Sequence, residues 1–395
     1  MIISDAMMSA MGDLSPTDAL QWMPRAEQDS YCSMKQRVAI LLLSITSLLG
    51  ALPQAQEPSS QADNSGIQLT LDSSEAEQVL AILALRRSGR PIEEAQWQKL
   101  FTTEPYQRLK QREKKIGEQF HDSTVAFSDD DFKKFVLSED LLKRAPQLQD
   151  TLENWKKADI HELAERDLQY LPPSAVIHAK VYPVIKPGSN SFVWEASSNP
   201  AIFLYLDPDV SRAKFENTVA HELHHIGLAS VESGYDKKIA VLPERARAAA
   251  NWMTAFGEGF AMLAAAGGPD VDPHAASSAK EHARWDHDMA NFSADLQSVN
   301  AFFLDVLNGK FPNQDAIDEK AGSFFGQQGP WYTVGYKMAV MVEKRFGRPA
   351  LIETMLDPRK LLVLYNRAAA EQNETGKEHL SLWSDELLKQ VGATP

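Results

Sequence analysis

His221-Glu222-Leu223-His224-His225 is an HExxH string, and residues of these types at this spacing suit metal-assisted hydrolysis. On a helix of 3.6 residues per turn, His221 and His225 stand one above the other, at about the separation two nitrogens need to hold one zinc ion. Glu222 is turned roughly 100° from His221, so it adds no third ligand from the same turn but can reach a water on the ion as its base. Such a string arises by accident in a chain of this composition with a chance of roughly two in a hundred. Isolated helical histidines are more commonly surface or satisfied core groups, so the surroundings decide.

Those surroundings fit. Residues 201–206 read as a strand, Asp207-Pro208-Asp209 breaks it, and an amphipathic run starts near Ser211. Phe215, Val219, Leu223 and Ile226 form an apolar stripe at helical spacing that leaves the two histidines on a neighbouring face. Gly227 is expected to end this helix. His224 faces elsewhere, toward packing, solvent or support of the ligands.

A catalytic zinc generally takes three protein ligands and keeps one open position. The metzincin arrangement is excluded, because Leu228 and Val231 stand where its glycine and histidine belong. Glu258, in Phe256-Gly257-Glu258-Gly259-Phe260-Ala261, is the preferred third ligand. It is expected inside a long helix over 243–266, flanked by two helix-disfavoured glycines that would let the backbone approach a neighbour and the metal. Glu232, Glu244, His274, His282 and His287 are the alternatives. Glu244 suits the first turn of a helix, where it complements the dipole, and the histidines fall in an acidic stretch expected to be exposed.

The chain has 395 residues, a formal net charge of −14 and 44% hydrophobic residues, which describes a soluble globular protein of one or two domains. Its acidic balance repels phosphate backbones, and no Lys/Arg cluster with interleaved aromatics offsets it, so nucleic acid is not an expected partner. The basic stretch 110–115 reads as a solvated helix face. Met34-Lys35-Gln36-Arg37, an apolar run over 38–49 and a small, polar, proline-containing end at Ala55 give residues 34–55 the form of a secretory signal peptide. The run is too short to anchor in a bilayer, so the mature protein is expected to be exported, periplasmic or secreted, with no membrane span. Residues 1–33 then read as an over-called start, and they carry the one cysteine, Cys32. No cysteine follows the apolar run, which excludes a lipoprotein anchor there and disulfides in the product.

Residues 56–72 read as a flexible leader and 73–172 as a helical part with patterns over 74–87, 92–100, 105–120, 129–144 and 151–169. Leu80, Leu83, Trp97, Leu100, Phe132, Phe135, Leu141 and Trp155 are its expected core. Strand-rich stretches over 176–185, 192–195 and 201–206 suggest a small antiparallel sheet, with 201–206 as an edge to receive an extended peptide. Further helices are expected over 276–307, 332–346, 349–355 and 380–390. The fold class is therefore α+β and mainly helical.

On the HExxH string, Gly257-Glu258-Gly259 and Tyr332-Thr333-Val334-Gly335-Tyr336, the chain resembles the gluzincin metallopeptidases. It is most similar, over about Glu75 to Tyr365, to a bacterial family described as zinc-dependent peptidases. The resemblance implies a gluzincin-like zinc peptidase domain over 173–395, with one Zn2+ per chain on His221, His225 and Glu258. It also implies Glu222 as general base and a peptide or protein as substrate. The string from Tyr332 resembles the Tyr-x-Lys-Gly element of aminopeptidase N-like gluzincins, which implies that Tyr332, ahead of Tyr336, stabilises the oxyanion; Val334 replaces the lysine. The Gly-x-Met-Glu-Asn signature for a free amino terminus is absent, and the interval 226–257 is longer than usual in that group. Met262 stands where the thermolysin pattern Glu-x-x-x-Asp has its aspartate. Cleavage of internal bonds is therefore expected over amino-terminal trimming. Two other classes of function compete: an inactive zinc-binding periplasmic interaction module, which would have no use for Glu222, and a zinc hydrolase of a non-peptide bond.

Overall fold

A computed structural model of the chain describes residues 66–120, 128–196, 198–231, 234–376 and 379–393. The expected start, signal peptide and most of the leader fall outside these residues. Among the described residues no helix is long and apolar enough to cross a membrane.

Strand β1 (Ile67–Leu71) is followed by six helices: α1 (Ser74–Arg87), α2 (Glu94–Phe101), α3 (Glu104–Phe120), α4 (Asp129–Val136), α5 (Glu139–Trp155) and α6 (Ile160–Leu168). Then come β2 (Ile177–Val184), β3 (Phe192–Trp194), β4 (Ala201–Tyr205) and the HExxH helix α7 (Arg212–Ala229). The rest is helical. It comprises α8 (Tyr235–Ile239), α9 (Glu244–Trp252), a 3-10 turn (Met253–Phe256), α10 (Gly257–Ala266), α11 (Ala279–Ala290) and α12 (Phe292–Leu307). The chain continues through α13 (Gln314–Gly322), α14 (Pro330–Phe346), α15 (Arg348–Met355), α16 (Pro358–Glu374) and α17 (Asp385–Gln390). The mainly helical α+β class holds.

The sheet differs from the antiparallel one expected. Its order is β1-β2-β4-β3, with β1 and β4 parallel to β2 and only β3 antiparallel. There are two reasons: β3 pairs antiparallel on the outer side of β4 and leaves β4 parallel to β2, and β1, whose IQLTL sequence alternates inward and outward, adds to the sheet across the whole helical part, Ile67 opposite Ile177. These residues were expected as leader. β4 is interior rather than an edge, since both its sides are hydrogen-bonded; β3 holds that edge of the sheet.

Two apolar bodies meet at α7 and α10. One gathers α1, α2, α4, α5 and α6 with one face of the sheet and the stripe Phe215, Val219, Leu223 and Ile226 of α7. Burying each such apolar side chain contributes about 1.5–3 kcal/mol, so the stripe fixes which way α7 turns its histidines. The other body is built by α9 through α17 around Phe256, Trp331 and Trp383. Of the expected N-terminal core residues, Phe135 is only partly buried, and the other seven are buried.

Candidate metal and catalytic site

Helix α7 begins at Ser211, whose Oγ accepts the Lys214 amide at 3.2 Å, and it runs past Gly227 to Ala229. Gly227 therefore does not end the helix. It sits inside it because a Cβ there would stand 2.3 Å from Leu171 Cδ1, so the missing side chain makes room for packing.

Glu258 does not lie inside one long helix. The expected helix over 243–266 is broken by the 3-10 turn Met253–Phe256, and Glu258 falls in the first turn of α10. Gly259 is where two backbones touch. A Cβ on it would lie 2.0 Å from the Tyr336 amide nitrogen, and one on Gly335 would lie 2.8 Å from the Phe256 carbonyl oxygen. This glycine-on-glycine crossing seats α10 on α14 and brings Glu258 and Tyr332 to the same place. Gly257 plays no such part, since a Cβ there would meet nothing within 4 Å.

The structure brings the two histidines and the glutamate together. His221 Nε2 lies 3.1 Å from Glu258 Oε2 and 3.1 Å from His225 Nε2, and His225 Nε2 lies 3.3 Å from Glu258 Oε2. All three residues are buried, and they form the one group of three or more potential ligands found among the described residues. A tetrahedral zinc with bonds near 2.0–2.1 Å needs ligand atoms about 3.3 Å apart, so the triangle has nearly the edges such an ion requires. The donor set, two imidazoles and a carboxylate, is also one zinc accepts. Burial pushes the Glu258 carboxyl up, but the His225 charge and the bonds from His221 and His225 overcome it and bring it down to about 2. The carboxylate is thus held ionised.

Glu222 is 1% exposed, one residue from His221. Tyr332, also buried, stacks its ring on that of His221 with centroids 6.4 Å apart and planes 25° apart. Tyr336 donates its hydroxyl to the Val271 carbonyl at 3.3 Å and meets Trp285 edge-on. Burial pushes the Tyr336 hydroxyl up to about 12.

His224 does not face solvent. It is fully buried, and burial, followed by the His225 and His221 charges, pushes it down to about 3, so it is neutral. Of the alternative ligands, Glu244 is exposed in the first turn of α9. His282 bonds Asp272 at 2.7 Å, and exposed His287 lies beside Asp288. His274 was expected to be exposed, but it is buried against Trp285 with Nδ1 on Ser277 Oγ at 2.9 Å. Glu232 lies outside the described residues.

Asp167 on α6 belongs to the neighbourhood and was not singled out from the sequence. It is fully buried, and neither carboxylate oxygen has a hydrogen-bond partner among the described residues. Burial pushes it well above the usual carboxylate range, with Arg166 and His221 pulling the other way. The signal was its place on the apolar stripe of Ile160, Leu163 and Ala164.

Comparison with curated proteins and with solved structures gives no match. A family model matches residues 97–374, from within α2 to the end of α16, and so takes in His221, Glu222, His225, Glu258 and Tyr332. With the buried His-His-Glu cluster at its centre, the chain belongs to the family described as "Putative zinc dependent peptidase (DUF5700)".

Proposed function

We propose that this protein is a gluzincin-type peptidase that binds one zinc ion through His221 Nε2, His225 Nε2 and Glu258 and hydrolyses peptide bonds. The observation that carries this reading is the ligand triangle with edges of 3.1, 3.1 and 3.3 Å, beside a buried Glu222. Bound there, zinc supplies Lewis acidity, which polarises a carbonyl and makes water acidic near neutral pH. Glu222 takes the proton of the attacking water on its carboxylate and delivers it to the leaving amine. Tyr332 donates its hydroxyl to the oxyanion as charge develops there. Glu258 and the two imidazoles hold the charge balance of the site, and the surrounding apolar bodies exclude bulk water. The segment 34–55 is read as a signal peptide, so the activity belongs to an exported protein.

Metal content and turnover test the reading together. Full-length protein purified without chelator should carry about one zinc per chain, and His221→Ala, His225→Ala or Glu258→Ala should lose it. Glu222→Gln should keep the zinc and lose hydrolysis of a quenched peptide library by about 10²–10⁴-fold. Full zinc in Glu258→Ala would remove the third ligand, and undiminished turnover in Glu222→Gln would remove the mechanism. A chain that holds zinc but cleaves no peptide would be the inactive module or a hydrolase of another bond.

A further inference from the structure

Helices α6 and α7 lie side by side and run the same way, and their contacts form a ladder. Leu163 and Arg166 of α6 stand with Ala213, Glu216 and Asn217 of α7 around one small cavity. Further along, the Tyr170 backbone lies at His224, and Leu171 presses on Gly227, where a Cβ would have no room. Asp167 falls between these contacts, level with His221 and Glu222. Asn217, His221 and His224, at spacings of four and three, share one face of α7, so it is His221 and not Glu222 that this face turns toward α6.

Asp167 is fully buried, and neither of its oxygens has a hydrogen-bond partner among the described residues. Such a group gives the fold nothing, since a buried carboxylate without a partner costs its desolvation and returns no bond. Its place on the stripe of Ile160, Leu163 and Ala164 aims it at the packed side of α6 rather than at solvent. The charge beyond α6 that acts on it is that of His221. His221 in turn points Nε2 at Glu258 and His225, at 3.1 Å from each. An imidazole that holds a metal through Nε2 carries its proton on Nδ1, and that N–H calls for an acceptor.

We propose that Asp167 is a positioning residue of the metal site, whose carboxylate accepts the Nδ1–H of His221 and so fixes the ring, its tautomer and the donor strength of Nε2; the proposal rests on the zinc-ligand reading above. A hydrogen bond to an ionised acceptor is roughly twice as strong as one between neutral groups. Because α6 carries none of the three ligands, metal affinity then depends on how this helix of the N-terminal part is seated on α7.

Zinc affinity of the full-length chain at neutral pH, measured by competition with a chromophoric chelator, tests this. Asp167→Leu should weaken binding about 10–100-fold, and Asp167→Asn, which keeps an oxygen but not the charge, should weaken it less. Glu165→Gln removes an exposed carboxylate from the same helix and should leave the affinity unchanged. Neither Asp167 variant should lower the Tm of the chelated protein, where a carboxylate without a partner has no bond to lose. In the zinc-loaded chain with isotopically labelled histidine, one of the two ligand Nδ1–H resonances should lie far downfield and move upfield in Asp167→Asn, while the other stays. Unmoved resonances, or an equal loss of affinity in Glu165→Gln, overturn the proposal. A lower Tm of the chelated Asp167 variants does the same and makes Asp167 a packing residue. Zinc bound as tightly by Asp167→Leu as by the unsubstituted chain sinks the positioning role and leaves the three ligands standing, whereas an unsubstituted chain that binds no zinc sinks both.

Discussion

Tyr332 and Tyr336 lie one helical turn apart on α14, yet they have different surroundings. The Tyr332 ring stacks on His221, whereas the Tyr336 hydroxyl is bound to the Val271 carbonyl at 3.3 Å. Tyr332→Phe should therefore lower kcat by about 10²–10³ with little change in KM or zinc content, because an oxyanion donor acts in the transition state and not in the ground state. Tyr336→Phe should lose only a neutral hydrogen bond, about 0.5–1.5 kcal/mol of stability, with kcat nearly intact. Steady-state kinetics beside thermal unfolding separate the two, and a large kcat loss confined to Tyr336→Phe would exchange their roles. At this scale the sequence was most legible where chemistry is local. His221 and His225 are a fixed helical offset apart, and Glu258 was marked by its two glycines. His224 was not legible, because it is covered by chain far away in sequence, around Tyr170; Asp167 showed only through its place on an apolar stripe, and His274 was hidden because its polar segment folds onto Trp285.

The crossing of α10 over α14 depends on hydrogen atoms standing where a methyl group would not fit. Gly259→Ala would press a Cβ to 2.0 Å from the Tyr336 nitrogen, which is backbone and cannot swing aside. The variant should lose about 1–3 kcal/mol or more to overpacking and bind zinc less tightly, because Glu258 is the preceding residue. Gly257→Ala, with open space around it, is the control and should change zinc affinity little. Unfolding curves and metal titration of both variants decide; a tolerated Gly259→Ala would mean that the helices are free to part. Helix types were mostly legible, since apolar periodicity survives in any context, but breaks within helices were not. The turn Met253–Phe256 interrupts a stretch in which no proline after Pro243 marks the break, and it re-aims α10. Placing Glu258 in a first turn also sets its carboxylate at the positive end of that helix.

Across the molecule, stability should depend on pH through a carboxyl outside the His221, His225 and Glu258 cluster. Glu75 on α1 is fully buried and accepts the Ile185 amide at 2.9 Å, and burial pushes it up to about 8 despite that bond and the Lys186 charge. Its folded value lies above the roughly 4.3 of an unfolded chain. Between those values the folded state holds more protons, so stability is highest below about pH 4.3 from this group and falls as pH rises toward 8. Lys186, pushed down to about 8 by burial, acts only above that window. Glu75→Gln can still accept the Ile185 amide, and it should remove a slope amounting to a few kcal/mol; denaturant unfolding at pH 5 and pH 8 measures it, and an unchanged slope would assign it elsewhere. The four-stranded sheet was only partly legible, because β1 follows a polar, low-complexity stretch and its partner lies beyond six helices. That distance has a consequence in time. From Ile67 to Tyr205 the ribosome must add every residue between the first strand and the last before the sheet can be completed. At about 5–20 residues per second that is on the order of ten seconds. Until β2 is made, which takes up most of this interval, β1 has no strand to join, and α7 is made only after it, so machinery that handles unfolded chains has time to engage this one before the His221, His225 and Glu258 cluster exists.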